Sequence, residues 1–114
     1  MKLEEVCRTL SLTVRTAKGR LEREVTGGYA SDLLSCVMAR AQTGNIWITL
    51  QAHPNIVAVA SLLNLAGVII TEGVEPDEAT QTKAEEEGVP LLMTPLTTFA
   101  VVAGLTGLGI RGVD

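Results

Sequence analysis

The sequence predicts an α/β domain, a three-layer fold around a mostly parallel sheet. Two observations carry this. From about residue 46 to 108, short apolar runs bounded by Gly and Pro alternate with helix-length stretches in the order β-α-β-α-β-α, which argues for parallel strands joined by right-handed crossovers. Residues 41–71 and 88–110 contain no Asp, Glu, Lys or Arg, as expected of buried strand–helix units. An N-terminal helix and two short strands precede this run.

The elements follow in order. Lys2–Leu10 places Leu3, Val6, Cys7 and Leu10 on one face of an amphipathic helix. Leu12–Thr16 alternates as a strand does, and Ala17-Lys18-Gly19 turns the chain. Glu24–Tyr29 is a second extended segment. Ser31 then caps a helix whose apolar face is Leu34, Val37, Met38 and Ala41. Ile46–Leu50 reads as a strand, Pro54–Leu65 as a helix apolar almost all round, and Gly67–Thr71 as a strand. Pro76–Glu87 is an acidic surface helix, with Pro76 in its first turn and Gly88 at its C-cap. Pro90–Thr94 is the last strand and Thr97–Leu108 the last helix. No low-complexity linker interrupts residues 1–114, which read as a single domain.

The last helix carries two apolar stripes, Phe99, Val102 and Ala103 on one side and Val101, Leu105 and Leu108 on the other. One small sheet cannot cover both. The unmet stripe predicts a homodimer through the 97–108 helix, with small residues such as Ala103, Gly104 and Gly107 allowing close approach. Cover by the N-terminal segment is the alternative.

Composition excludes several classes. The chain is 46% hydrophobic and 19% charged, so it is globular rather than disordered. Its formal charge of −4 disfavours nucleic acid and anionic membranes, and Tyr29, Trp47 and Phe99 are too few for a base-stacking platform. The first uncharged stretch is cut by Gly44, Pro54, Asn55, Asn64 and Gly67, and the second by Pro90 and Pro95, so neither is expected to span a membrane. Residues 1–10 are charged and amphipathic rather than an apolar leader, and the expected compartment is the cytoplasm. Cys7 and Cys36 form no CxxC pair and no disulfide framework.

Charge is uneven along the chain. Lys2, Arg8, Arg15, Lys18, Arg20 and Arg23 put six of nine basic residues in the first 23, while seven of 13 acids fall between Glu72 and Glu87. Such runs form solvated faces or surfaces that dock partner proteins.

Three strands end alike, in Ile48-Thr49, Ile70-Thr71 and Met93-Thr94. Parallel pairing gathers Thr49, Thr71 and Thr94 at the carboxyl edge, where open α/β sheets place their ligands. A hydroxyl is also locally useful where a strand gives way to a helix. His53, the only histidine, follows the first of these strands beside Gln51. It is a candidate ligand contact or acid–base group, or a residue that bonds its own loop. With no second His or Cys close in sequence, no metal site is expected. Thr26-Gly27-Gly28 precedes the Ser31 helix. Glycines before a helix start can offer backbone donors to an anion, or simply turn the chain. No P-loop is present and no lysine lies between residues 19 and 82, which excludes a P-loop kinase or ATPase. No nucleophile–base–acid set can be assembled, and no cofactor is expected.

Taken together, Arg23-Glu24-Val25-Thr26-Gly27-Gly28 with Asp32, Trp47-Ile48-Thr49, Ala66–Gly73, Glu75-Pro76-Asp77 and Gly88-Val89-Pro90-Leu91-Leu92 resemble the DRTGG domain family. The resemblance covers nearly the whole chain. It implies an α/β, generally non-catalytic regulatory or ligand-sensing domain that forms dimers. Such domains occur attached to phosphotransacetylases and to paired CBS domains, and they are similar to the N-terminal domain of HPr kinase. This chain departs from the pattern at Glu22, where Asp fits the family name, at Gln51-Ala52-His53, where relatives often carry Gly-Asp-Arg, and at Glu72. The loss of that Arg and the gain of Glu72 point away from a strongly anionic ligand there.

The resulting expectation is a stand-alone, dimeric, non-enzymatic domain of the cytoplasm. It binds a small metabolite, a nucleotide among the candidates, at Thr49, Gln51, His53, Thr71 and Thr94, with Thr26, Gly27 and Gly28 as backbone donors. A ligand-free protein-interaction module in a signalling assembly is the alternative. A small enzyme using His53 as general base is a third reading.

Overall fold

The uncharged stretches form the middle of the sheet. The computed structural model describes residues 1–113. They form α1 (Leu3–Thr9), β1 (Thr13–Val14), a 3₁₀ turn (Lys18–Arg20), β2 (Gly27–Ala30), α2 (Leu34–Arg40), β3 (Asn45–Thr49), α3 (Pro54–Leu62), β4 (Gly67–Ile70), α4 (Glu78–Glu87), β5 (Leu91–Met93) and α5 (Thr98–Gly107). The five strands lie in the order β1-β5-β4-β3-β2. β2 to β5 are parallel, and β1 is antiparallel to β5. This is the α/β fold with a mostly parallel sheet that the sequence predicts.

Each crossover from β2 to β5 steps the same way, so crossovers of one hand lay α2, α3 and α4 on one face. Val37, Ile56, Val57 and Ala84 of those helices pack there on Trp47, Val68, Ile70 and Leu91. On the other face Leu3 and Val6 of α1 and Val101 and Leu105 of α5 cover Ile46, Ile48, Ile69 and Leu92. Successive strand residues thus serve opposite cores, the period-two rule of a sheet covered twice. Trp47 is wholly buried, and its Nε1 donates to the Ser31 carbonyl at 2.8 Å. Removing about 200 Å² of indole from water at about 25 cal/mol per Å² stabilises the fold by about 5 kcal/mol.

Four expectations shift. The parallel run starts one unit before Ile46, because β2 pairs in parallel with β3. Only Thr13–Val14 of Leu12–Thr16 is strand; at Thr16 the side chain replaces the ladder, its Oγ1 donating to the Val89 carbonyl at 2.8 Å and accepting from Leu91 N at 3.0 Å. Ser31 does not cap α2: its Oγ accepts from Leu33 N, which tightens the loop, and α2 begins at Leu34 with Met38 43% exposed. Asp77 rather than Pro76 opens α4, its Oδ1 accepting from Thr80 N at 2.8 Å, while Gly88 ends the helix at φ 69° as expected.

The uneven charge closes on itself. Arg15 meets Glu75 at 3.1 Å, Lys2 meets Glu22 at 3.0 Å, and the N-terminal ammonium meets Glu24 at 2.8 Å. Ala17 N donates to Glu85 Oε2 at 3.0 Å, and the Arg20 guanidinium packs on Gly88. Arg23 donates to the carbonyls of Asn64 and Leu65. Such exposed pairs contribute little stability. The Arg15–Glu75 pair, the Ala17–Glu85 bond and the packing of Arg20 on Gly88 join the basic arm to the acidic segment of the same chain, while the pairs of Glu22 and Glu24 lie within the arm.

Candidate functional site

The register sets Thr49 beside Ile70 and Ile70 beside Met93. Thr49, Thr71 and Thr94 therefore share the carboxyl edge. They are 1%, 0% and 4% exposed, and each hydroxyl has a partner in the chain. Thr49 Oγ1 donates to Asp32 Oδ1 at 2.8 Å and accepts from Gln51 N at 3.0 Å. Thr71 and Thr98 share a hydrogen between hydroxyls 2.7 Å apart, and Thr94 Oγ1 accepts from Leu96 N at 3.1 Å. Gln51 Nε2 donates to the Asp32 carbonyl at 3.1 Å. His53 stands exposed at the N-cap of α3 and makes no side-chain cap bond. Asp32, to which no separate role falls from sequence, organises this corner: its Oδ1 also accepts from Leu50 N at 2.7 Å. The chain thus stitches its own edge, and of the five residues expected there His53 alone is exposed.

Thr26 and Gly27 lie at the other end of the sheet. Gly27 pairs with Asn45, the first residue of β3, and Thr49 ends that strand. Four residues at about 3.3 Å each separate the two ends by about 13 Å. Thr26 Oγ1 donates to the Thr43 carbonyl at 2.8 Å and accepts from Asn45 Nδ2 at 3.2 Å. The structure therefore brings Thr49, Gln51, His53, Thr71 and Thr94 to one edge and keeps Thr26 and Gly27 away from them. The two glycines are strand residues rather than a loop at a helix start. Their place is explained by the C-terminal segment. Gly28 N donates to the Arg111 carbonyl at 2.9 Å, Gly28 bridges Gly112 in parallel, and a Cβ on Gly27 would stand 2.8 Å from that same carbonyl oxygen.

Beside this segment the sheet edge opens into a groove of about 280 Å³. Gly28, Ala30 and Ile48 form its floor, Val102 and Leu105 of α5 one wall, and the strap Ile110–Val113 the other. The cause is local. At β2 the α5-facing positions are Gly and Ala, whereas β3 carries Ile46 and Ile48 there. A helix packed on both leaves a gap over the smaller pair. Small residues at alternate positions of one strand were the available sequence signal. A smaller cleft of about 220 Å³ lies between β1 and the loops after β4 and β5, lined by Arg15, Gly73, Glu75 and Thr94.

Two other groups bear on chemistry. The Cys7 thiol is buried in the α1–α5 layer, and burial pushes its pKa up to about 11. Cys36 sits on α2 across the sheet, and both cysteines are free. Among the described residues no group of three His, Cys, Asp or Glu side chains is placed to hold a metal ion. No helix of the described residues is long and apolar enough to cross a membrane.

These features define a parallel α/β domain with a groove at its β2 edge and a carboxyl edge closed by its own hydrogen bonds. The DRTGG domain profile matches residues 5–108, and the chain belongs to that family. No curated protein matches it in sequence. Among solved structures it is similar to the CBS and DRTGG domains of the regulatory region of Clostridium perfringens pyrophosphatase, determined in complex with the activator diadenosine tetraphosphate. The TM-score is 0.67 at 17% identity, over 89% of this chain and 44% of that one. The likeness is one of fold, and the chain spans less than half of that protein's structure.

Proposed function

We propose that this chain is a non-catalytic regulatory domain that binds a small metabolite, a nucleotide first among the candidates, and acts through a dimer or partner-protein interface. Membership of the DRTGG family over residues 5–108 carries this reading. The similar pyrophosphatase regulatory region, solved with a nucleotide activator, supports the choice of ligand class. The setting proposed is a cytoplasmic signalling assembly.

The outer stripe of α5 supports the interface. Val101 and Leu105 are buried, while Phe99 is 86% exposed and Ala103 lies exposed one turn along. Gly104 is occupied within the chain, since a Cβ there would meet Leu10 Cδ2 at 2.8 Å. α1 thus covers one stripe, and a two-fold contact of α5 with its copy would cover the other. Any ligand shifts this contact only by its differential affinity for the two states.

A thermal-shift screen of nucleotides and phosphorylated metabolites tests the ligand. At 100 times its dissociation constant, a ligand adds about 2.7 kcal/mol to native stability. Sedimentation of the wild type and Phe99→Ser tests the interface. A flat screen overturns ligand sensing and transfers weight to a ligand-free interaction module, which the exposure of Phe99 also favours. A wild-type chain that sediments as a monomer overturns the dimer.

A further inference from the structure

The outward sides of α4 and α5 differ in kind. α4 exposes Glu78, Lys83, Glu86 and Glu87. α5 exposes Phe99, Ala100, Ala103, Thr106 and Gly107, and no charged residue lies between 88 and 110. A helix side that faces water ordinarily carries charge. Phe99 is the only phenylalanine of the chain, and its side chain stands almost wholly in solvent.

Beside it lies a place for an aromatic ring. Phe99, Val102 and Thr106, spaced i, i+3 and i+7, share one flank of α5. Val102 and Thr106 line the β2–α5 groove, facing Ala30, Ile48 and Ile110. Side chains alternate along a strand, so the Gly28–Gly112 bridge sets the Arg111 side chain on the opposite face of the sheet. The slot against α5 is therefore apolar. A cavity of about 150 Å³ admits a benzene ring, and the groove holds about 280 Å³. Phe99 does not fill the groove of its own chain, because its ring is exposed at the head of the flank.

Phe99 and Thr106 are seven residues apart, about 10 Å along the helix axis. A two-fold axis across α5 midway between them passes Val102 and Ala103. Two copies of α5 crossing antiparallel about that axis set each Phe99 opposite the other copy's Thr106 and the groove beside it. Ala103 at the centre lets the helices approach. Neither side brings a charge, so the −4 of each chain does not oppose the contact there, and a charged partner of another kind finds no group to pair with. Such a contact is isologous and closes at two copies.

We propose that Phe99 of each copy inserts into the β2–α5 groove of the other, its ring against Val102 and Ile48 and above Ala30. The proposal rests on the α5 dimer read above and assigns the pocket that makes that contact specific.

Sedimentation velocity over a concentration series is run on the full chain, the wild type beside four variants, with thermal melts to show that each folds. Ala30 lies on β2, so Ala30→Phe fills the groove and leaves the outer face of α5 as it is. Phe99→Ser, Ala30→Phe and Val102→Trp are each expected to weaken dimerisation at least tenfold. Leu62→Ser, at an exposed position of α3 across the sheet, dimerises as the wild type does. An equimolar mixture of Phe99→Ser and Ala30→Phe recovers dimer, because one ring and one open groove remain to meet. In a mixture of isotope-labelled and unlabelled wild-type chains, nuclear Overhauser effects run from the Phe99 ring to the Ile48 and Ile110 methyls of the other copy. Dimers that survive Ala30→Phe, a mixture that stays monomeric, or Overhauser effects that reach only the outer residues of α5 overturn the insertion and leave the α5 dimer standing. Dimerisation lost in Leu62→Ser, or a wild type monomeric throughout, overturns both.

Discussion

Gly27 and Gly28 are neighbours in one strand, and the fold gives them opposite tolerance. A Cβ on Gly27 would lie 2.8 Å from the Arg111 carbonyl oxygen and 3.1 Å from Asn45 Nδ2. The first neighbour is backbone and cannot rotate aside. A Cβ on Gly28 would meet the Cγ2 atoms of Ile46 and Ile110 at 3.6 and 3.7 Å, ordinary contact distances. Neither residue has positive φ, so backbone strain does not separate them. Gly27→Ala must therefore displace the strap. If the strap leaves, the Gly28 N–H bond to Arg111 is lost, at about 1 kcal/mol. If it stays, overpacking costs about 1–3 kcal/mol. At about 4 °C per kcal/mol for a domain of this size, Tm falls by about 4–12 °C. Gly28→Ala should be neutral or up to about 1 kcal/mol stabilising, since it restricts only the unfolded chain. Thermal melts of both variants, with amide exchange at residue 28, decide the matter. Faster exchange there is expected in Gly27→Ala only. Equal melts, or a larger loss in Gly28→Ala, would refute the claim that Gly27 lacks a side chain in order to seat the strap.

Thr16→Val leaves the Val89 carbonyl and the Leu91 N–H buried without partners. At about 1–3 kcal/mol per orphaned group, it should destabilise by about 2–6 kcal/mol in denaturant titration, while Thr16→Ser, which keeps the hydroxyl, loses far less. The Asp77 carboxyl is held below its ordinary range, chiefly by the Thr80 hydroxyl and then by the Thr80 N–H. A depressed folded pKa adds stability that is present above the unfolded value and lost as pH falls through the folded one. The Tm difference between wild type and Asp77→Asn should thus shrink from pH 7 to pH 3, and a constant difference would contradict the assignment.

The layers were legible because apolar periodicity is a local signal. Ile46–Thr49 and Gly67–Ile70 alternate between two cores, and no other period fits them. Gly88 and the helix it ends were legible from capping chemistry, with the start two residues early and the Asp77 cap missed. What stayed hidden depends on partners far along the chain. Thr16 reads as a strand residue until Val89 and Leu91, more than 70 positions on, take its hydroxyl. Gly27 and Gly28 read as a turn or a phosphate loop until Arg111 closes beside them. The three edge threonines were placed correctly by counting strands. The engagement of Thr49 by Asp32 and of Thr71 by Thr98 was not, because those bonds join segments far apart in the chain, whereas Thr94 bonds Leu96 two residues on, the local use a hydroxyl finds at a strand end. The charge asymmetry read as solvated faces or docking surfaces, yet Arg15 and Glu75 meet within one chain.

The groove and the outer stripe of α5 are not independent. Val102 lines the groove and lies one turn from Phe99, on the stripe that also carries Ala103. A ligand that presses on Val102 therefore presses on the helix a second copy would touch. Linkage makes this reciprocal: a ligand that tightens the α5 contact by a given factor is itself bound tighter by that factor in the assembled state. Coupling here needs no path through the core, because one helix forms the wall of the site and the face of the contact. Among the described residues the strap bridges β2 once, at Gly28–Gly112, and its Ile110 is buried in the core beside α5. A sheet covered by a helix whose far side carries exposed Phe99 is an arrangement in which occupancy beside that helix would alter association while the fold stays the same.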